Sequence, residues 1–168
     1  MKWLLDGLGA DDRPLTREAL EHLVDQVAAR PELWEAHIDR TSEARMYGSL
    51  HRDARVDVWA IVWRPGNDTG WHDHDISSGA VRVVEGALSE HELLLGRPDR
   101  HQLFPAGSRL SFGPSRIHRL VCESELAVSI HAYSAPLWRL GQYAVDENGA
   151  LHRVSVTYAD ELRPLAFT

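Results

Sequence analysis

Cysteine is almost absent: Cys122 is the only one in 168 residues. An intramolecular disulfide and a CxxC metal knuckle are therefore both excluded, and a reducing, cytoplasmic setting fits. Long apolar runs are also missing. No window approaches the ~18 residues of a membrane span. The opening MKWLLDGLGADDR is too short in its apolar run, and too acidic beside it, to read as a signal peptide. Positive charge is scarce, with 18 Lys and Arg against 25 Asp and Glu, a net charge of −7. No basic stripe stands out, so nucleic acid and anionic membranes are excluded as nonspecific partners. Low-complexity tracts, internal repeats and linkers are lacking too. The expectation is a single domain over 1–168; a chain of this length buries roughly 70% of its unfolded surface. Tryptophan, by contrast, is frequent, at positions 3, 34, 59, 63, 71 and 138, and such residues ordinarily fill cores.

The chain divides near residue 42. Over 1–42 the pattern is helical. Thr16 is placed as an N-cap after Pro14, and Leu20, Leu23, Val24, Val27 and Ala28 recur at helical spacing within a span of 14–39 that Pro31 interrupts. Over 45–158 the texture changes to alternation. Val56, Val58, Ala60 and Val62 interleave with Asp57, Trp59, Ile61 and Trp63, a strand covered on both faces. Further strands are expected at 80–85, 87–95, 109–112, 117–121 and 126–133. A hairpin should join 139–146 to 151–157 through Asn148-Gly149. Eight or nine short strands behind one helical lead argue for an all-β sandwich, jelly roll or barrel.

Ten histidines are present. His22, His37, His51, His91, His101 and His152 lie in polar or helical surroundings and read as surface or satisfied residues. His72 and His74 differ. In TGWHDHD they stand two apart, so on an extended segment both imidazoles leave the same face and can reach one ion. His118 follows the turn Gly113-Pro114-Ser115 on another strand and is a third candidate ligand. Three neutral imidazoles from two strands make a facial set with open positions. In Ser129-Ile130-His131-Ala132-Tyr133 the three polar residues share one face of a strand, with Val128, Ile130 and Ala132 on the other. A hydroxyl, an imidazole and a phenol in a row can form a hydrogen-bonded relay.

Taken together, these residues resemble the cupins, and among them the thiol dioxygenases of the cysteine dioxygenase type. Gly70, His72, His74 and Gly86 match the first cupin motif. The motif's Glu falls near Ser78 or Gly79 and is missing, as in the three-histidine thiol dioxygenases. His118 matches the second motif, and Ser129-x-His131-x-Tyr133 with Ser134-Ala135-Pro136 looks like the family's outer-sphere relay. The resemblance covers about 45–158. It implies a double-stranded β-helix (jelly-roll barrel) with an N-terminal helical segment, and Fe(II) held by His72, His74 and His118. It further implies a catalytic role for Tyr133, His131 and Ser129, and oxidation of a small thiol, cysteine or 3-mercaptopropionate-like, to its sulfinate with O2. The small thiol and O2 are then the partners of a monomer or weak homo-oligomer.

Two departures bear on the family's pattern. Gly79 stands where animal cysteine dioxygenases carry the Cys linked to the relay Tyr, so no crosslink is expected. The substrate-carboxylate Arg sits in a Tyr-x-Arg context in the family, whereas Arg45-Met46-Tyr47 runs in reverse. Arg45 is the first choice for that role, with Arg52 and Arg82 as reserves. Two other readings stay open: another three-histidine cupin reaction, such as C–C cleavage of a diketone, and a metal- or ligand-binding cupin without turnover. The Ser-His-Tyr row speaks mildly against the first.

Overall fold

The computed structural model describes residues 13–94, 96–147 and 150–157. The helical lead is one α-helix, α1, Arg17–Ala28, followed by 3-10 turns at Pro31–Leu33 and Glu35–His37. Thr16 caps it, its Oγ1 accepting from the Ala19 N–H at 3.2 Å. The helix stops well short of residue 39 because Pro31 has no N–H to continue the ladder and restricts the residue before it. Leu20, Leu23, Val24 and Val27 are buried. At roughly 1.5–3 kcal/mol per buried aliphatic side chain, this stripe docks the helix. No helix among the described residues is long and apolar enough to cross a membrane.

Eleven strands follow among the described residues: β1 Met46–Arg52, β2 Asp57–Trp63, β3 Trp71–Asp73, β4 Ser78–Glu85, β5 Ala87–Glu92, β6 Arg100–Pro105, β7 Arg109–Phe112, β8 His118–Cys122, β9 Ala127–Ser134, β10 Arg139–Val145 and β11 Leu151–Thr157. They form a five-stranded antiparallel sheet in the order β1-β2-β9-β4-β7 and a six-stranded one in the order β11-β10-β3-β8-β5-β6. This is the expected all-β jelly roll, with more strands than the eight or nine counted from alternation. β3 is three residues long and too short to show a period. β6, RHQLFP, is exposed at all but Phe104, which an edge strand tolerates. The Asn148-Gly149 turn lies outside the described residues, but the two strands it was expected to join pair in register from Arg139↔Thr157 to Val145↔Leu151.

Two apolar clusters hold the layers together. One lies between the sheets and includes Trp59, Ile61, Trp63, Phe112 and Leu120. The other packs α1 on the back of the five-stranded sheet through Val58, Ala60, Val62, Ile130 and Ala132. β2 and β9 feed both clusters, which is why every residue of both strands is buried. Alternation thus sends Ser129, His131 and Tyr133 inward and Val128, Ile130 and Ala132 toward the helix.

Candidate metal centre

The inner faces of the sheets converge on His72, His74 and His118. His72 on β3 pairs directly with His118 on β8. His74, one residue beyond β3, donates its backbone N–H to the Pro114 carbonyl at 3.4 Å, tying it to the turn before His118. The ring centroids lie 4.8, 4.8 and 5.2 Å apart. One nitrogen from each ring falls within 4.8 Å of the others, and all three residues are buried. The Nδ1–H of His72 donates to the Gly70 carbonyl at 3.0 Å, which turns its Nε2 inward. His118 gives Nδ1–H to Glu90 at 2.7 Å, and its Nε2 is buried with no hydrogen-bond partner. An orphaned, inward-facing imidazole nitrogen beside two others is a donor set that fits a small cation.

Burial pushes all three imidazoles below their ordinary range, His74 and His118 well below, and the neighbouring His72 adds to the effect on those two. The rings are therefore neutral near pH 7, with lone pairs ready for a metal.

The acid between the two histidines faces the other way. Asp73 accepts from Arg153 at 2.9 and 3.0 Å, from the Tyr143 hydroxyl at 2.5 Å and from the Gly141 N–H at 3.1 Å. Burial alone would raise its carboxyl, but these donors outweigh burial and hold it below the usual carboxylate range. Asp73 thereby clamps the β10–β11 hairpin onto the strand that carries His72.

Beside the triad runs a hydrogen-bonded row. Trp63 Nε1–H donates to Ser129 Oγ at 2.8 Å. Ser129 Oγ and His131 Nε2 are 2.8 Å apart, and His131 Nδ1 and the Tyr133 hydroxyl 2.9 Å apart. Indole N–H is a donor only, so Ser129 accepts from it and turns its own hydrogen to His131 Nε2. The proton of His131 then sits on Nδ1 and points at Tyr133, whose O–H donates outside the row. Burial, with help from the Arg45 charge and the neighbouring His72, pushes His131 down to about 3, so the ring stays neutral. Tyr133 stacks on His74 at 5.3 Å.

These groups open on one cavity of about 50 Å³, walled by Trp59, Ile61, Phe112 and Leu120 among others. That volume is several times the ~10–15 Å³ that a single water needs. Gly79 pairs across the sheet with Tyr133. A Cβ there would stand 2.3 Å from the Phe112 ring, so Phe112 fills the space a linking side chain would use. Cys122 belongs to the core cluster and donates to the Ser124 carbonyl.

The three arginines separate clearly. Arg82 faces α1 and pairs with Asp25 at 3.5 Å. Arg52 is held by Asp57 and by the Leu137 carbonyl. Arg45, one residue before β1, lies with Cζ 5.1 Å from the Tyr47 ring and 5.4 Å from the Trp63 ring, both of which line the cavity. The six histidines expected at the surface, His22, His37, His51, His91, His101 and His152, are exposed or half-buried.

Sequence reasoning missed three residues. Trp63 reads as one of the tryptophans that fill cores, and the sequence assigns no role to Asp73 or to Glu90 in SEHE. Only Asp73 carried a signal, since an acid between two inward residues of a strand faces the outer side of its own sheet, where the neighbouring strands supply its partners.

A family model described as cysteine dioxygenase type I matches residues 18–146. No curated protein matches the chain. Among solved structures, the protein TT1209 from Thermus thermophilus is 14% identical with a TM-score of 0.53, the match covering 61% of this chain and 93% of that one. A cupin superfamily protein from Desulfitobacterium hafniense is 10% identical at TM-score 0.50, covering 58% and 83%. A Klebsiella pneumoniae protein with a double-stranded β-helix domain is 13% identical at TM-score 0.50, covering 71% and 92%. At these identities the likeness is one of fold.

Proposed function

The chain belongs to the cysteine dioxygenase type I family, and we propose that it is a non-haem iron thiol dioxygenase that converts a small thiol, cysteine or 3-mercaptopropionate-like, to its sulfinate with O2. The observation that carries this reading is the buried three-histidine cluster and the Ser129-His131-Tyr133 row, whose His131 and Tyr133 line the same small cavity as the three histidines. The reaction balances as RSH + O2 → RSO2H. Two S–O bonds form, the O–O bond breaks, sulfur gives up four electrons and O2 takes them.

His72, His74 and His118 would hold Fe(II). The ion supplies a charge that favours the thiolate over the thiol and a redox partner for O2. The chain's own groups do the rest. Tyr133 enters its row as acceptor, so its O–H is oriented to donate to a substrate or oxygen atom in the cavity. His131 holds Tyr133, and Ser129 holds His131 in the tautomer that does so. Trp59, Ile61, Phe112 and Leu120 keep bulk water from the reacting atoms. Arg45, seated against Tyr47 and Trp63, is the cation for a substrate carboxylate.

An oxygen electrode tests this with iron-loaded protein and cysteine, 3-mercaptopropionate or cysteamine. Uptake matched mole for mole by sulfinate is the expected result. Bound iron without uptake on any thiol overturns the reading. Arg45→Ala should raise KM for the two carboxylate thiols and leave cysteamine unchanged; an equal effect on all three removes Arg45 from the role.

A further inference from the structure

The three imidazoles have unequal surroundings. His72 gives its Nδ1–H to a neutral carbonyl, and His74 Nδ1 has no hydrogen-bond partner among the described residues. Of the three, His118 is the one bonded to a carboxylate, Glu90 Oε1 at 2.7 Å. Glu90 sits on β5 with 6% of its surface exposed. Both its oxygens are reached by Arg116 Nη1, at 3.2 and 3.3 Å. Arg116 Nε in turn lies 3.5 Å from Glu92. Glu90 and Arg116 also line a separate polar cleft of about 220 Å³, which shares no lining residue with the cavity of His72, His74 and His118.

We propose that Glu90 is a positioning residue for the metal centre, acting through His118, and that Arg116 opposes it. The inference rests on the metal-binding reading of the triad. Three neutral imidazoles bring no negative charge to a divalent ion in an apolar cavity. The cupin motif's carboxylate ligand has no counterpart near Ser78 or Gly79, and Glu90 restores an anion one residue further out. A carboxylate accepting from Nδ1–H fixes the ring plane and tautomer of His118 and makes its Nε2 a stronger donor. Arg116 draws on the same two oxygens, so it withholds part of that charge from His118. The two residues therefore act with opposite sign on the metal, although both belong to one hydrogen-bonded chain. Loss of a merely structural contact would give the same sign for both.

The test uses metal-free protein titrated with cobalt(II), whose ligand-field absorption reports the donor set directly and needs no turnover. Glu90→Gln keeps an acceptor of similar shape and removes the charge. It is expected to lower cobalt affinity ~10–100-fold and to shift the absorption band. Arg116→Gln is expected to hold or raise the affinity and to move the band the opposite way. Glu90→Gln with affinity within about twofold of wild type and an unchanged spectrum overturns the proposal, as does a parallel loss in both variants. Should Glu90→Gln fail to fold, Arg116→Gln decides alone: a held or raised affinity supports the proposal and a lowered one overturns it. Wild-type protein that takes up no cobalt would instead sink the metal reading itself, and this inference with it.

Discussion

Ser129 is where one atom supports the most structure, and Ser129→Ala is the sharpest perturbation of the row. The residue is fully buried. Its Oγ accepts from Trp63 Nε1–H at 2.8 Å and is bonded to His131 Nε2 at 2.8 Å. Alanine strands both partners, and the space of one oxygen is too small to admit a water in its place. Each buried polar group left unpaired costs about 1–3 kcal/mol, so the substitution should remove about 2–6 kcal/mol. That is a large share of the ~5–15 kcal/mol that holds a domain together. Urea unfolding of the metal-free protein reads this out. With m of ~2 kcal/mol/M the midpoint should fall by about 1–3 M at unchanged m. In a Trp63→Phe background the indole donor is already gone. The same Ser129→Ala step should then be about 1–3 kcal/mol milder. A midpoint shift below about 0.2 M, or a cycle additive to within ~0.5 kcal/mol, would refute the claim that Trp63 sets the direction of the row.

Three further outcomes follow from the same geometry. Tyr133→Phe should lower kcat ~10–100-fold while metal content stays constant; unchanged turnover would take Tyr133 out of the chemistry. Asp73→Asn should destabilise the protein by about 1–3 kcal/mol, discounted because Arg153 is partly exposed. It should also speed amide exchange in β10 and β11 first, and unaltered exchange there would contradict the clamp. The pH dependence of His131 has a definite sign. Its folded pKa of about 3 lies below the ordinary value near 6.5. The unfolded chain therefore gains a proton as pH falls through about 6.5 and the native state does not, so the stability is present above that pH and lost below it. The slope is about 1.4 kcal/mol per pH unit down to pH ~3. Metal-free His131→Gln should lose stability less steeply than wild type between pH ~6 and ~4, and equal slopes would show that His131 does not titrate as its burial demands.

The legible part of the molecule was local. The stripe Leu20, Leu23, Val24 and Val27 specified α1 and its buried side, and alternation specified β2, β4 and β9. Strand periodicity placed His72 with His74, and Ser129 with His131 and Tyr133, because residues two apart on an extended chain leave the same face whatever the fold. β1 was not among the expected strands, β3 was expected only as an extended segment around His72 and His74, and β6 stayed hidden as an exposed edge whose pairing comes from its neighbour.

Pairing across the chain was another matter. His118 meets His72 through a single register between β3 and β8, a contact that resemblance implied and spacing alone could not supply. Of Arg45, Arg52 and Arg82, packing alone separated the one beside the cavity from those held by Asp57 and Asp25. Glu90 looks like any solvated acid until the second sheet brings His118 within 2.7 Å of it. A sequence by itself determines which face a side chain leaves from, because backbone geometry is local. Which partner waits on that face is decided by sheets closing over a shared core, where burial turns ordinary polar residues into obligatory hydrogen-bond partners.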